Sequence, residues 1–256
     1  MSDKREREKR REERLQKESE AQSQERRKRL VQLSAGIGLL ALVVVVAAIV
    51  VSQNQGGGGG GDATSLEDVG LVASELRGVP QQGMVLGEPS ARVTVLEFGD
   101  LQCPVCKAYS EEVVPQLIEG PVSAGEAKLE FRNYTIIGAQ SVPAGAAAIA
   151  AGQQSRAWNY IELFYRNQGE EGSGYVTPEF MTAIARGAGV PDLQRWNEAR
   201  KSKAVLAEVA RSTKEATARF EFEGTPSFAV EGPKGTEALG TPGSAEAIEE
   251  AIRKVG

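Results

Sequence analysis

The chain has 256 residues, a formal net charge of −5 and no histidine. The lack of histidine excludes Ser-His and Cys-His nucleophiles and most zinc sites, and the mild charge, with basic residues scattered among acids beyond the N-terminus, favours no nucleic-acid partner. Its only cysteines, Cys103 and Cys106, are three positions apart, which excludes a secreted scaffold stapled by several disulfides.

The N-terminal residues predict a membrane anchor. Residues 1–30 carry twelve basic and eight acidic side chains, which is typical of a disordered tail, with a solvated or headgroup-binding helix as the alternative. Leu33–Val51 is uncharged and long enough to cross about 30 Å of hydrocarbon. We therefore assign residues 31–52 to a transmembrane helix. A cleaved signal peptide is the alternative, but its basic and apolar parts would be unusually long and no clear A-x-A site follows.

The charges around this segment predict its orientation. A basic run, Arg26–Arg29, precedes it, and no Lys or Arg follows until Arg77. The positive-inside rule then places the tail in the cytoplasm and everything after the anchor outside, as a single-pass protein of the cell membrane. Residues 53–66 are rich in glycine and predict a flexible tether with a reach of about 20 Å. The remaining residues, 67–256, are enough for one domain with one core.

The first elements of this domain predict a strand–helix–strand unit. Arg92–Phe98 is rich in β-branched and apolar residues and follows turn residues, which is typical of a central strand. Cys103 opens a helix whose apolar spacing extends from Cys106 to about Ile118. Lys128–Ile136 alternates apolar and polar residues and predicts a second strand.

The rest of the domain predicts a block of helices followed by two strands and a helix. These elements are expected at Ala144–Asn167, Thr177–Gly187, from Pro191 onwards, Val205–Phe220, Ser227–Val230, near Ala238–Leu239, and from a capping Ser244 to Val255. The aromatic stripe of the first of these helices, with Trp158 and Phe164, is interpreted as core. The order βαβ, helices, ββα predicts an α/β thioredoxin fold with a helical insertion at about 140–221.

The two cysteines carry the predicted chemistry. In Cys103-Pro104-Val105-Cys106, a strand precedes the first sulfur and a helix begins at it. Free N–H groups and the helix dipole favour negative charge there, and such thiols have pKa values lowered from about 8.5 to roughly 3.5–7.5. Pro104 fits the first helical turn, where its missing N–H is not needed. We therefore predict that Cys103 is the nucleophile and that Cys106, one turn further and more shielded, is the resolving thiol.

Two other roles of the pair are less compatible with the sequence. A zinc or iron–sulfur site needs further ligands, and the chain has no third cysteine and no histidine. A purely structural disulfide across so small a loop removes little entropy from the unfolded chain. We therefore expect no bound cofactor or metal, and a redox-active disulfide between Cys103 and Cys106.

From about Gly83 to Val255 the chain resembles the bacterial DsbA-like thioredoxin-fold proteins, especially the membrane-tethered forms of Gram-positive bacteria. The resemblance is carried by Glu97-Phe98-Gly99-Asp100-Leu101-Gln102-Cys103-Pro104-Val105-Cys106 and by Gly224-Thr225-Pro226-Ser227-Phe228. It implies that Pro226 is cis and that the backbone of Thr225 pairs with an extended substrate peptide. It also implies that Glu97 is a buried acid that exchanges protons with Cys106.

These implied roles have simpler alternatives. Thr225-Pro226 is by itself a common turn pair, and Glu97 could instead be a surface residue at a sheet edge. Asp100 is interpreted as a turn-former and not as a catalytic group. Strongly oxidising members of the family carry histidine where this chain has Val105, which cannot donate a hydrogen bond or carry charge. We therefore hypothesise a weaker oxidant than the histidine-bearing enzymes.

The resemblance implies an enzyme that introduces disulfides into unfolded or reduced exported proteins. Its reoxidation would come from a membrane quinone-linked partner of the DsbB or vitamin-K-epoxide-reductase type. The alternatives are a disulfide reductase or isomerase kept reduced by a membrane electron donor, and a tethered binding module without enzymatic activity. The redox state of the pair in cells separates the first two, and a Cys103→Ser variant separates both from the third.

Overall fold

The computed structural model describes residues 66–256. The predicted cytoplasmic tail, the transmembrane helix and nearly all of the tether lie outside the described residues. Within residues 66–256, no helix has both the length and the apolar character needed to cross a membrane.

A mixed sheet of six strands forms the centre of the described part of the chain. The strands are β1 (Gln81–Gln82), β2 (Val85–Leu86), β3 (Val93–Gly99), β4 (Ala127–Asn133), β5 (Ser227–Gly232) and β6 (Gly235–Gly240). Their order in the sheet is β1-β2-β4-β3-β5-β6, with β3 parallel to β4 and antiparallel to β5. The strand β3 lies between two long strands and is buried along nearly its whole length. The loop that leads to Cys103 therefore starts from a fixed position in the sheet.

Helices cover the sheet and form the insertion between β4 and β5. They are α1 (Val69–Glu75), α2 (Pro104–Glu112), α3 (Val114–Leu117), α4 (Ser141–Gly152), α5 (Ala157–Arg166), α6 (Pro178–Gly187), α7 (Leu193–Ala199), α8 (Lys203–Ala218) and α9 (Ala245–Val255). The helices α4 to α8 make up the insertion. The predicted order of elements is confirmed, and the domain has a thioredoxin-like α/β fold.

Two predicted helices are each broken in the structure. The helix after Cys106 ends at Glu112 and restarts as α3, because Pro115 has no N–H to continue the ladder. The helix predicted over Ala144–Asn167 is two helices, separated at Ser155, whose φ of 56° is left-handed. The predicted aromatic core is confirmed, because every aromatic side chain of α5 is buried.

Other boundaries differ where tertiary contacts decide them. The strand predicted to reach Ile136 ends at Asn133, because the N–H groups of Thr135 and Ile136 donate to the side chains of Thr213 and Asp100 and not to a neighbouring strand. Ser244 precedes α9 as predicted, but its side chain makes no capping hydrogen bond to the helix. The sequence analysis missed α1 and the β1–β2 hairpin, which are too short for a clear periodicity.

Candidate active site

The Cys103 sulfur lies at the N-terminus of α2. Cys103 has an extended backbone (φ −77°, ψ 120°), and the helix begins at Pro104. The backbone N–H of Cys106 donates to Cys103 Sγ at 3.3 Å, so the side chain caps one of the free N–H groups of the first turn. Because the sulfur receives this N–H, negative charge on it is favoured locally.

The two sulfurs have opposite environments. Both cysteines are buried, but Cys103 is 3% exposed and Cys106 is fully buried, so only Cys103 keeps any contact with solvent; Val105 between them is 48% exposed. The pKa of Cys103 is lowered to about 6, chiefly by the hydrogen bond from the Cys106 thiol and further by Thr225 and by backbone N–H groups, against the opposing effect of burial. Burial raises the pKa of Cys106 well above its usual value.

The loop at Pro226 faces this sulfur. The Thr225–Pro226 peptide bond is cis, and Cys103 Sγ lies 3.4 Å from the Thr225 carbonyl oxygen, to which its S–H can donate. Thr241 Oγ1 donates to the Pro226 carbonyl at 2.7 Å, and Ser227 Oγ donates to Gly224 at 2.7 Å. The segment is therefore an anchored loop beside the thiol, and the cis bond at Pro226 that the family resemblance implies is confirmed.

Glu97 lies inside the domain. It is 2% exposed and sits on the central strand β3, opposite Phe131 of β4 and Phe228 of β5. Burial, and secondarily the negative charge of Glu162, raises the pKa of Glu97 to about 8. The alternative of a surface residue at a sheet edge is wrong, because β3 is not an edge strand.

Asp100 holds the loop that leads to Cys103. Its buried carboxylate accepts the N–H of Gln102 at 2.9 Å and the N–H groups of Ile136 and Ile137 at 2.8 and 3.0 Å. These bonds tie the loop after β3 to the loop after β4. Asp100 is thus a turn-former, as interpreted from the sequence, and also a bridge between two loops.

Side chains of the insertion hold the same loop from the other side. Gln168 Nε2 donates to the Leu101 and Cys103 carbonyls at 2.8 and 3.2 Å, and the Tyr165 hydroxyl donates to the Asp100 carbonyl at 3.3 Å. Gln168 belongs to no motif and was not predicted from the sequence.

A second buried acid also escaped the sequence analysis. Glu162 of α5 is 2% exposed, and its carboxylate accepts the Ser110 hydroxyl at 2.6 Å. A sequence signal was present, because Glu162 interrupts the apolar stripe that had been interpreted as core. Tyr165, in the same helix, is also buried, and burial, then the charges of Cys106 and Glu97, raise its pKa.

Comparison with known proteins agrees with this arrangement. The family model described as thioredoxin matches residues 80–253, more than half of the chain. A probable disulfide bond formation protein D of Bacillus anthracis is 30% identical over 151 residues, which are 57% of this chain and 69% of that protein. The disulfide bond formation protein D of Bacillus subtilis is 30% identical over 104 residues, or 40% of this chain and 47% of that protein.

Solved structures show the same fold. Oxidised BdbD of Bacillus subtilis has a TM-score of 0.59 at 23% identity, covering 69% of this chain and 96% of its own. A thioredoxin-like oxidoreductase of Silicibacter pomeroyi has a TM-score of 0.55 at 27% identity, covering 74% and 97%. The chain therefore belongs to the thioredoxin family, as a DsbA-like thiol–disulfide oxidoreductase.

Proposed function

We propose that this enzyme introduces disulfide bonds into exported proteins through its Cys103-Pro104-Val105-Cys106 segment. The observation that carries the proposal is the Cys103 sulfur at the start of α2, with a pKa lowered to about 6. A stabilised thiolate favours the reduced enzyme, and the disulfide form is then the better oxidant. The lowered pKa of Cys103 therefore supports an oxidase, and the redox state of the pair in cells decides between oxidase and reductase.

The proposed reaction begins with the enzyme disulfide. A substrate thiolate attacks Cys103 Sγ, the Cys103–Cys106 bond breaks, and Cys106 leaves as a thiolate that takes a proton from Glu97. A second substrate thiolate then attacks the substrate sulfur of the mixed disulfide, and Cys103 leaves as a thiolate. The substrate loses two electrons and the enzyme gains them, so the pair itself is the redox group and no bound cofactor is needed.

The anchored loop supplies the proposed substrate contact. Thr225 and Pro226 lie beside the sulfur, so an extended peptide that pairs with the Thr225 backbone would bring its own cysteine to Cys103. Proteins named disulfide bond formation protein D in Bacillus support reduced exported proteins as substrates. A quinone-linked membrane protein of the DsbB or vitamin-K-epoxide-reductase type would accept the electrons.

The proposed location follows from the sequence of the N-terminal residues. Residues 1–30 would lie in the cytoplasm, residues 31–52 would cross the membrane once, and residues 53–66 would tether a catalytic domain, 67–256, outside. The anchor would keep the domain near a membrane reoxidase.

The redox state of the pair in living cells tests the direction of the reaction. Cells producing the full chain are quenched with acid and treated with a thiol reagent that adds mass, and the enzyme is detected on a gel. We expect mostly unmodified, oxidised enzyme, with the Cys103→Ser, Cys106→Ser double variant as the unmodified marker. A mostly modified enzyme would contradict the oxidase and favour a reductase or isomerase.

Val105 is expected to limit the oxidising strength. We expect a reduction potential more negative than about −120 mV, and a Val105→His enzyme that is more oxidising by at least about 30 mV, a tenfold change in the equilibrium constant. Val105 is exposed, so the imidazole fits without repacking and can donate to the Cys103 thiolate. Equilibration with glutathione measures the potential. Val105→Thr is the shape-matched control, and equal potentials of the two variants would contradict the hypothesis.

A further inference from the structure

Glu162 is a buried acid that the proposed reaction does not use. It is the only acidic residue of α5 and lies between Ile161 and Leu163, which are also buried. Burying a carboxylate costs free energy unless it is hydrogen-bonded or paired, so an acid in the packed face of a helix requires an explanation.

One hydrogen bond links Glu162 to the redox helix. Its carboxylate accepts the Ser110 hydroxyl at 2.6 Å, and Ser110 is fully buried in α2. Ser110 is four residues after Cys106, and residues four apart share one face of a helix. Glu162 therefore binds the face of α2 that carries the resolving thiol.

Within residues 66–256, no lysine or arginine forms a salt bridge with Glu162. Arg166, one turn later in α5, instead pairs with Glu75 of α1 at 2.9 Å and with Asp68 at 3.6 Å. Glu111 of α2 adds another negative charge near Glu162. The helix α4, which also packs on α5, has no charged side chain.

The surroundings of Glu162 keep it protonated to about pH 8. Burial raises its pKa to about 8, helped by the charges of Glu75 and Glu111 and opposed by the Ser110 hydrogen bond and by Arg166. The charge of Glu162 in turn raises the pKa of Glu97.

We propose that Glu162 is a positioning residue for proton transfer, which sets the pH at which Glu97 accepts the proton of Cys106. The inference rests on the proposed roles of Glu97 and Cys106 and adds a partner to them. Two neighbouring carboxylates in a dry site resist simultaneous ionisation. While Glu162 is charged, Glu97 keeps its proton and cannot act as a base, so the Cys106 thiol stays protonated.

The affected step is the closure of the enzyme disulfide. The Cys106 proton passes to the Glu97 carboxylate, and the Cys106 thiolate attacks Cys103 Sγ of a mixed disulfide. The Cys103–Cys106 bond forms, the bond from Cys103 to the bound thiol breaks, and that thiol leaves as a thiolate with the electron pair.

Reaction of the reduced full chain with dithionitrobenzoate (DTNB) isolates this step. Attack by Cys103 releases one coloured thiolate, and closure by Cys106 releases a second, which is followed by stopped flow over a range of pH. We expect Glu162→Gln to move the midpoint of the second release about one unit lower, the interaction that defines a coupled pair. The midpoint of the first release should not move, because the pKa of Cys103 is set by Cys106, burial, Thr225 and nearby backbone N–H groups and not by Glu162.

Matched variants separate this proposal from a structural role. Glu162→Gln should have no effect on the second release in a Glu97→Gln background, since Glu97, whose pKa the Glu162 charge raises, is then absent. Ser110→Ala removes the hydrogen bond that favours the Glu162 charge and should shift the midpoint in the same direction by less, which provides a second test if Glu162→Gln folds poorly.

Each outcome decides one question. A wild-type enzyme that releases only one thiolate would overturn the proposed role of Cys106 and this inference with it. A normal second release whose midpoint is the same in wild type, Glu162→Gln and Ser110→Ala would overturn the inference alone. A shift that persists in the Glu97→Gln background would show that Glu162 does not act through Glu97.

Discussion

The Cys103→Ser enzyme is expected to oxidise no substrate protein, and the Cys106→Ser enzyme is expected to accumulate a mixed disulfide. The two variants lose the same atom from positions three residues apart, so a general effect on folding would not distinguish them. Cys103 borders the surface beside the Thr225 carbonyl, whereas Cys106 is fully buried. We therefore expect a protein thiol to attack only the first sulfur.

The pKa values of the two thiols give the same assignment. The pKa of Cys103 is lowered to about 6, so its thiolate is present at neutral pH, whereas that of Cys106 is raised. Without Cys106, and with a substrate that has no second thiol, nothing releases a mixed disulfide on Cys103, and we expect it to persist.

Oxidation of a reduced, unfolded protein by the isolated enzyme measures activity. For the mixed disulfides, each single-cysteine variant is first treated with dithionitrobenzoate, which converts its thiol to a disulfide with thionitrobenzoate, and is then mixed with a reduced protein that has one cysteine. The substrate thiolate displaces thionitrobenzoate, and a non-reducing gel detects the enzyme–substrate disulfide. Circular dichroism of both variants checks that they fold. A mixed disulfide that forms on Cys106 in the Cys103→Ser enzyme, or residual oxidation above the uncatalysed rate, would contradict the assignment of the nucleophile.

The second large effect is expected in the pH dependence of stability, and it comes from Glu97. Its pKa rises from 4.5 to about 8 on folding. Between these pH values the folded chain binds more protons than the unfolded chain, so the free energy of unfolding falls as the pH rises. The stability that comes from the preference of folded Glu97 for its proton is fully present below about pH 4.5 and is lost as the pH passes about 8.

The Glu97→Gln enzyme lacks this titration. The free energy of unfolding of Glu97→Gln minus that of wild type should therefore rise by roughly 2–4 kcal/mol as the pH is raised from about 4.5 to about 8. Urea unfolding of the oxidised enzyme measures the effect without interference from the sulfurs, because the raised pKa of Glu97 arises from burial and from Glu162.

Glu126→Gln is the control, because Glu126 is exposed and its replacement should leave the pH dependence unchanged. Parallel stability curves for wild type and Glu97→Gln would contradict the assignment of a buried, protonated Glu97.

Local sequence patterns predicted most of the elements. The β-branched run before the cysteines became β3, and Thr177 and Asp192 cap helices through their side chains as their residue types suggest. The broken helices were missed for different reasons. Pro115 was visible in the sequence but outweighed by the apolar spacing around it, and the left-handed Ser155 has no residue-type signal.

The sequence by itself determined the chemistry of Cys103. Its position after a strand and at the start of a helix requires only neighbouring residues, and the helix N-terminus favours the thiolate wherever the helix lies. The chain also limited that chemistry through its lack of histidine and of any third cysteine.

Only the tertiary structure decided which groups surround the sulfurs. Thr225 is 122 residues from Cys103, and Glu162 is 52 residues from Ser110. Such pairs leave no periodicity or spacing in the sequence, because they depend on how helices of the insertion pack against α2 and on where β5 joins the sheet. Burial, which raises the pKa of an acid by removing it from water, is likewise a property of the packed domain and of no single segment.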